Sequence, residues 1–278
     1  MADHNAEQWY PTAAYLYTLQ LDDLALAWEY LRRNPDYRRD WRVRQRRPEA
    51  AQRWGLRLLE DPRLDARDAH PVWFPDHPVL IHLYPDVDPM PDSVAFDFWR
   101  LPGSKSLVHD GRRLLLTTRW PGCCLRLTVA PGLEQGMAYV HAVRACTRPC
   151  ARYCALAAEL DRLAADADAD ADADAAPLAA AQCRPSPAAL LELHTLQALD
   201  ATLAGASLRE VAVGLFGPDV VTGGWHADGG LRSKVRRLVR RGRTLMHGGY
   251  RRLAQLDGHG EVVRRHPQND PEQASQPC

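Results

Sequence analysis

Residues 207–243 constrain the fold more than any other stretch of the chain. Ser207-Leu208-Arg209-Glu210 has the form of a capping box, a hydroxyl at the helix N-cap with a carboxylate three positions on, and it opens an apolar run ending at Phe216. A glycine-rich spacer follows, and then Leu231-Arg232-Ser233-Lys234-Val235-Arg236-Arg237-Leu238-Val239-Arg240-Arg241-Gly242-Arg243. Leu231, Val235, Leu238, Gly242 and Leu245 recur at three- and four-residue steps, which predicts an amphipathic helix buried along that stripe. A further helix over 187–204 is written in Leu190, Leu191, Leu193, Leu196, Leu199 and Leu203 and ends before Gly205. Three helices in this order, the last one cationic, match the plan of a helix-turn-helix DNA reader. One feature departs from it: the spacer after Phe216 is far longer than a standard turn, so the motif is a variant with an enlarged turn, or a short β-wing or helix intervenes.

Charge gives this plan a partner. The 278 residues balance, with 35 Lys+Arg against 35 Asp+Glu, but the distribution is uneven. Residues 184–256 hold 11 basic against 5 acidic side chains, and residues 32–57 hold 10 against 3. The last predicted helix carries seven cations and no acid, so it gains no i,i+4 pairs and repels itself unless an anion neutralises it. Phosphate contact with release of condensed counterions explains such a face. Arg232, Ser233 and Arg236, near the helix start, are the candidates for base edges. By spacing, Arg232, Arg236, Arg240 and Arg243 share one shoulder of the stripe and Lys234, Arg237 and Arg241 the other; Arg240, Arg241 and Arg243 are assigned to the backbone. Asp228 is read as the N-cap and Trp225 as packing across the spacer. A second surface for nucleic acid or a protein partner is Arg38, Arg39, Arg42, Arg44, Arg46 and Arg47, with Tyr37 and Trp41 between them read as core aromatics.

The rest of the chain reads as α+β. Residues 9–55 are helical, with Asn34-Pro35 ending one helix and starting another, and Pro48 opening a short one. Residues 71–130 read as antiparallel β-structure. Strands are expected at 79–84 and 95–99, and a hairpin pairs 114–118 with 124–129; a helix is expected from 138 to 165. The predicted organisation is a helical module (1–69), a β-rich middle ending in a helix (70–165), an Asp/Ala/Pro linker (166–186), the trihelical helix-turn-helix variant (187–256) and a disordered tail (257–278). No apolar run is long enough to span a bilayer and the N-terminus is unlike a signal peptide, so a soluble, cytoplasmic protein is expected. Seven irregularly spaced cysteines fit reduced thiols.

Particular motifs sharpen the expectation. Trp28-Glu29-Tyr30-Leu31-Arg32-Arg33-Asn34-Pro35-Asp36-Tyr37-Arg38, continued by Trp54-Gly55-Leu56 and Glu60-Asp61-Pro62, resembles the signature of an N-terminal transcriptional-regulator domain. Leu196-Gln197-Ala198-Leu199-Asp200, Gly205-Ala206-Ser207-Leu208-Arg209-Glu210, the basic helix and Gly248-Gly249-Tyr250-Arg251-Arg252-Leu253 resemble a helix-turn-helix variant family of formerly unknown function. Together they are similar to the FseA-like activators of integrative and conjugative element excision and transfer in proteobacteria, over most of residues 9–255. The Asp-Ala run at 166–174 is an insertion relative to that pattern. The resemblance implies a DNA-binding transcriptional activator whose partners are double-stranded DNA and RNA polymerase or an antiactivator. Paired half-sites favour a homodimer. In that family, short proteins made of the second domain alone act as antiactivators, so a regulator that binds an activator instead of DNA is the alternative.

Chemistry is sparse. Cys146, Cys150 and Cys154 share a helical face near His141, but zinc sites use tighter cysteine pairs on turns, so no metal is assigned. Cys123 and Cys124 read as packing residues, and His77, His82, His109 and His194 have no ligand spacing. The chain shows no phosphate-cradling glycine loop, nucleophile elbow or metallohydrolase motif. Neither catalysis nor a cofactor is expected.

Overall fold

The computed structural model describes residues 11–46, 49–74, 76, 80–120, 123–142, 160, 185–226 and 229–256. Residues 166–184 of the expected linker, the tail, Asp228, Arg47 and the Cys146/Cys150/Cys154 face lie outside the described residues.

A 3-10 helix, Thr12–Gln20, breaks at Leu21 before α1 (Asp23–Leu31). Asp22 forces the restart, because its carboxylate accepts the Ala25 amide at 2.8 Å and caps α1. Asn34 does the same for α2 (Pro35–Arg42), taking the amides of Asp36 and Tyr37, with Pro35 in the first turn where no amide is needed. The short α3 spans Ala50–Arg53. In the C-terminal part α4 covers Pro187–Leu203, capped by Ser186, and α5 covers Leu208–Phe216 with both capping-box bonds formed. Helix α6, Pro218–Gly224, occupies the spacer. Of the alternatives open for that spacer, an intervening helix is the one observed. The basic helix α7 runs Gly230–Thr244 and passes through a π-helical turn, Leu245–Gly249, into α8 (Tyr250–Leu253). Gly248, at φ +139°, supplies the backbone conformation for the kink between them.

The middle region is a five-stranded sheet of β1 (Ile81–Pro85), β2 (Ser104–His109), β3 (Leu114–Trp120), β4 (Cys123–Val129) and β5 (Tyr139–Ala142), in the order β2-β3-β4-β1-β5. The hairpin read from the sequence is β3/β4, in register Leu116 to Leu127. Ile81 pairs with Leu127 on the other side, so three fully buried side chains cross the sheet in one row.

Three expectations need correction. The sheet is not wholly antiparallel, because β1 lies parallel to β4 once the β2/β3/β4 meander has returned beside it. Residues 139–142 are a strand and not the start of a helix, since they pair antiparallel with 82–85 and close what would be an open edge of β1. Residues 95–99 form a single bridge, Ala95 to Ala138, and then turn. Asp97 accepts the Trp99 amide at 2.8 Å, an Asx turn that competes with the strand.

Two cores result. One fills the sheet around Ile81, Leu83, Leu116, Leu125 and Leu127. The other is built jointly by the N-terminal helices (Trp28, Tyr30, Leu31, Tyr37, Trp54) and the C-terminal helices (Leu193, Leu196, Leu199, Val235, Leu238, Tyr250). Tyr37 stands edge-on to both Trp28 and Trp54, at 5.7 and 5.6 Å between ring centroids. Arg126 of β4 pairs with Asp22, tying the sheet to the start of α1. Among the described residues no helix is long and apolar enough to cross a membrane.

Gly242 sets the distance between α4 and α7. A Cβ there would stand 3.0 Å from the Leu199 Cβ and 3.3 Å from the Thr195 carbonyl oxygen. Gly242→Val is therefore expected to cost about 1–3 kcal/mol by overpacking this contact, read as a lower urea midpoint at unchanged m-value. A stability equal to the parent protein would show that α4 and α7 do not approach this closely.

Candidate nucleic-acid interface

Helix α7 is held by its apolar stripe. Val235, Leu238, Val239 and Gly242 are buried, and the helix packs on α4 and α5. The opposite side is cationic. Ser233, Lys234, Arg236, Arg237, Arg240 and Arg243 are exposed, and Arg232 and Arg241 are partly buried. Among the described residues Arg236, Arg237, Arg240 and Arg243 have no carboxylate partner, so their charge is available to an external anion. Lys234 places its ammonium 4.7 Å from the Phe216 ring centroid, a cation–π contact that orients it against α5. It also faces His194 of α4, whose pKa is lowered by burial and by this ammonium. Gly229 occupies the N-cap position of α7, with no side-chain cap.

Arg241 stands apart from the set with which the sequence grouped it. Its guanidinium pairs with Glu192 of α4, whose other carboxylate oxygen accepts the Tyr30 hydroxyl at 2.5 Å. Burial and this carboxylate raise the Tyr30 pKa well above the usual tyrosine value, so the hydroxyl stays a donor. Arg241 thus pins α7 to α4 and α1. Arg243, at the end of α7, lines a cleft together with Arg32, Arg33 and Arg38.

The second basic surface is less uniform than its sequence implies. Arg38 donates Nε–H to the Arg32 carbonyl at 2.8 Å, and Arg39 pairs with Asp36 at 3.0 Å. Arg42 is exposed. Arg44 lies 4.1 Å from the Trp41 ring centroid, with Arg63 at 5.3 Å from the same ring. Trp41 is partly buried and already engaged by two guanidiniums, which leaves it poorly placed to stack on a base. Tyr37 is fully buried. Arg46 closes a short 3-10 turn, Arg44–Arg46.

Sequence reasoning missed the polar network beneath this face. Arg33, 6% exposed, reaches Asp200 of α4 with both Nε and Nη2, at 2.5 and 2.7 Å, and also bonds Glu29. Tyr15 donates to Asp200 at 2.9 Å, Glu29 accepts from Arg32 and the Ala66 amide, and Asn34 donates to the Met246 carbonyl at 3.0 Å. Burial opposes ionisation of Glu29 and Asp200, but Arg33 and Arg32 outweigh it and hold both carboxyls below the usual carboxylate range. Tyr30, Arg33 and Asn34 of the Trp28-to-Tyr37 motif are therefore buried links to the C-terminal helices, while Trp28 and Tyr37 donate to the Leu64 and Glu60 carbonyls of their own module. The available signal for this network was charge inside apolar helices, such as Glu192 among the leucines of α4.

Helix α7 is thus a cationic helix braced on two others, with four arginines that have no carboxylate partner among the described residues, and the domain content is that of a DNA-binding transcriptional regulator. Residues 143–255 match the family model described as "T6SS, Transcription factor, DNA binding domain", which takes in α4 through α8. Residues 8–58 match the "Proteobacterial transcriptional regulator-like domain", and residues 78–125 match a "Domain of unknown function (DUF7011)". No curated protein matches the chain.

Proposed function

We propose that the protein activates transcription by laying the exposed face of α7 against duplex DNA. Ser233, Arg236, Arg237 and Arg240 make the main contacts, and Arg232 and Lys234 assist from the two shoulders. The observation that carries this reading is the exposed set Arg236, Arg237 and Arg240, without a carboxylate partner among the described residues, on a helix inside the region matched by a transcription-factor DNA-binding model. Arg241 is assigned to structure. Ser233 and Arg236, near the helix start, face base edges; Arg240 faces backbone. A homodimer on paired half-sites supplies the affinity one short helix lacks. The N-terminal module, joined to the reader through Arg33 and Asp200, presents Arg39 and Arg42 to RNA polymerase or to an antiactivator.

The gene set we assign is the excision or transfer functions of an integrative and conjugative element, on the resemblance of both halves of the chain to the FseA-like activators. The likeness of residues 143–255 to a T6SS transcription-factor DNA-binding domain supports a second target, T6SS genes. Footprinting across the host genome separates these two. Fluorescence anisotropy tests the reading itself, with operator and scrambled duplexes over a salt series. If four or five cations neutralise phosphates, log Kobs should fall against log salt with a slope of about −4 per protomer. A flat salt response together with tight binding to an activator protein would favour the antiactivator alternative.

A further inference from the structure

A cleft of about 420 Å³ opens where α1 and α2 meet the end of α7. Arg32, Arg33, Arg38 and Arg243 line it together with His247, and Asp200 is the one carboxylate among the lining residues. That carboxylate is already gripped by both arms of Arg33 and by Tyr15. Glu29, behind the wall, neutralises a second guanidinium at most, since it is shared between Arg32 and Arg33. Two positive charges therefore remain uncompensated. They fall to Arg38 and Arg243, neither of which has a carboxylate partner among the described residues.

The geometry points to a binding site for a free phosphorylated metabolite of nucleotide size bearing two or more phosphate groups, held between Arg38 of α2 and Arg243 of α7. The volume lies within the range of small-ligand pockets. The cations come from two separate elements and converge on one space, which suits the fork-like donors of arginine to phosphate oxygens. Leu203 and Met246 give the cleft apolar wall as well, against which a base or other flat group can lie. Burial, and after it the neighbouring guanidiniums of Arg32 and Arg33, lower the Arg38 pKa against the opposing pull of Asp200. Duplex phosphates have the same chemistry, but a duplex is a stiff convex rod that meets the rim of a concave site and not its floor. A ligand seated here bridges the N-terminal module to the end of the DNA-facing helix.

The test is calorimetric titration of the full-length protein, without DNA, using pyrophosphate and ADP, with inorganic phosphate as the weaker comparison. Saturable binding of pyrophosphate or ADP is expected, weakened about tenfold or more by Arg243→Ala and likewise by Arg38→Gln. Arg243 is exposed, so its variant keeps the experiment interpretable even if loss of the Arg38 bond to the Arg32 carbonyl disturbs the fold. Absence of binding at millimolar pyrophosphate and ADP, or equal binding by Arg243→Ala, overturns the assignment. So does a result in which the variants weaken duplex binding while the parent protein ignores both small phosphates, because the cleft would then seat the DNA backbone. Failure of the operator titration would leave this measurement untouched.

Discussion

Replacing Arg33 by Ala should cost the protein about 3–5 kcal/mol of folding free energy, the loss typical of a buried ion pair deprived of one partner. The side chain is 4% exposed and, from the turn after α1, bridges Glu29 of that helix to Asp200, 167 residues away. Glu29 would keep Arg32, but among the described residues Asp200 would keep only the Tyr15 hydroxyl, a neutral donor that cannot offset a buried negative charge. The two carboxyls are held below their ordinary range, so their stabilising contribution is present above the unfolded-state carboxyl pKa and is lost as pH falls through the folded values. Arg33→Ala should remove much of that contribution at neutral pH. Arg39→Ala is the internal control. It breaks a pair whose side chains are 72% and 46% exposed and should change stability by no more than about 0.5 kcal/mol. Urea unfolding followed by tryptophan fluorescence measures both. A loss below about 1 kcal/mol for Arg33→Ala would contradict the view that this arginine joins the two helical parts.

The elements that could be read from the sequence were those specified by near neighbours. Ser207 and Glu210 cap α5 because the partners lie three residues apart. The leucine ladder of α4 and the β3/β4 hairpin are likewise local patterns, and both form. What local patterns do not report is pairing at a distance. The strand at 139–142 resembles the start of a helix until β1 is placed beside it, and the parallel β1/β4 pair joins segments separated by two other strands. The site shows the same division. Spacing alone put Arg236 and Arg240 on an outward face, and both are exposed. The same cationic pattern counts Arg241, on the other shoulder, among the DNA contacts, and only the position of Glu192 on another helix reveals that Arg241 is spent on structure. The intervening α6 could be stated only as one alternative, because a glycine-rich segment opened by Pro218 fits a helix start and a loop equally well.

The largest functional effect is expected from the double variant Arg236→Ala/Arg240→Ala. Both guanidiniums are exposed on one shoulder of α7, Val235 and Val239 beside them keep the helix anchored, and truncation to Ala favours helix. The fold should therefore survive, and the loss should appear in binding alone. A base-contacting arginine is worth about 1–3 kcal/mol, and each phosphate contact removed reduces the salt slope by about one. If Arg236 reads a base edge and Arg240 a phosphate, operator binding should weaken by at least about tenfold and the preference over scrambled duplex should shrink. Arg241→Ala should behave differently, lowering stability by stranding Glu192 against Tyr30. The decisive measurement is the anisotropy salt series on parent and double variant side by side. The parent slope should be steep and become shallower by about one to two in the variant, with matching thermal unfolding. Equal affinity and equal slope for the two proteins would contradict this, because the α7 face would then not be what touches DNA.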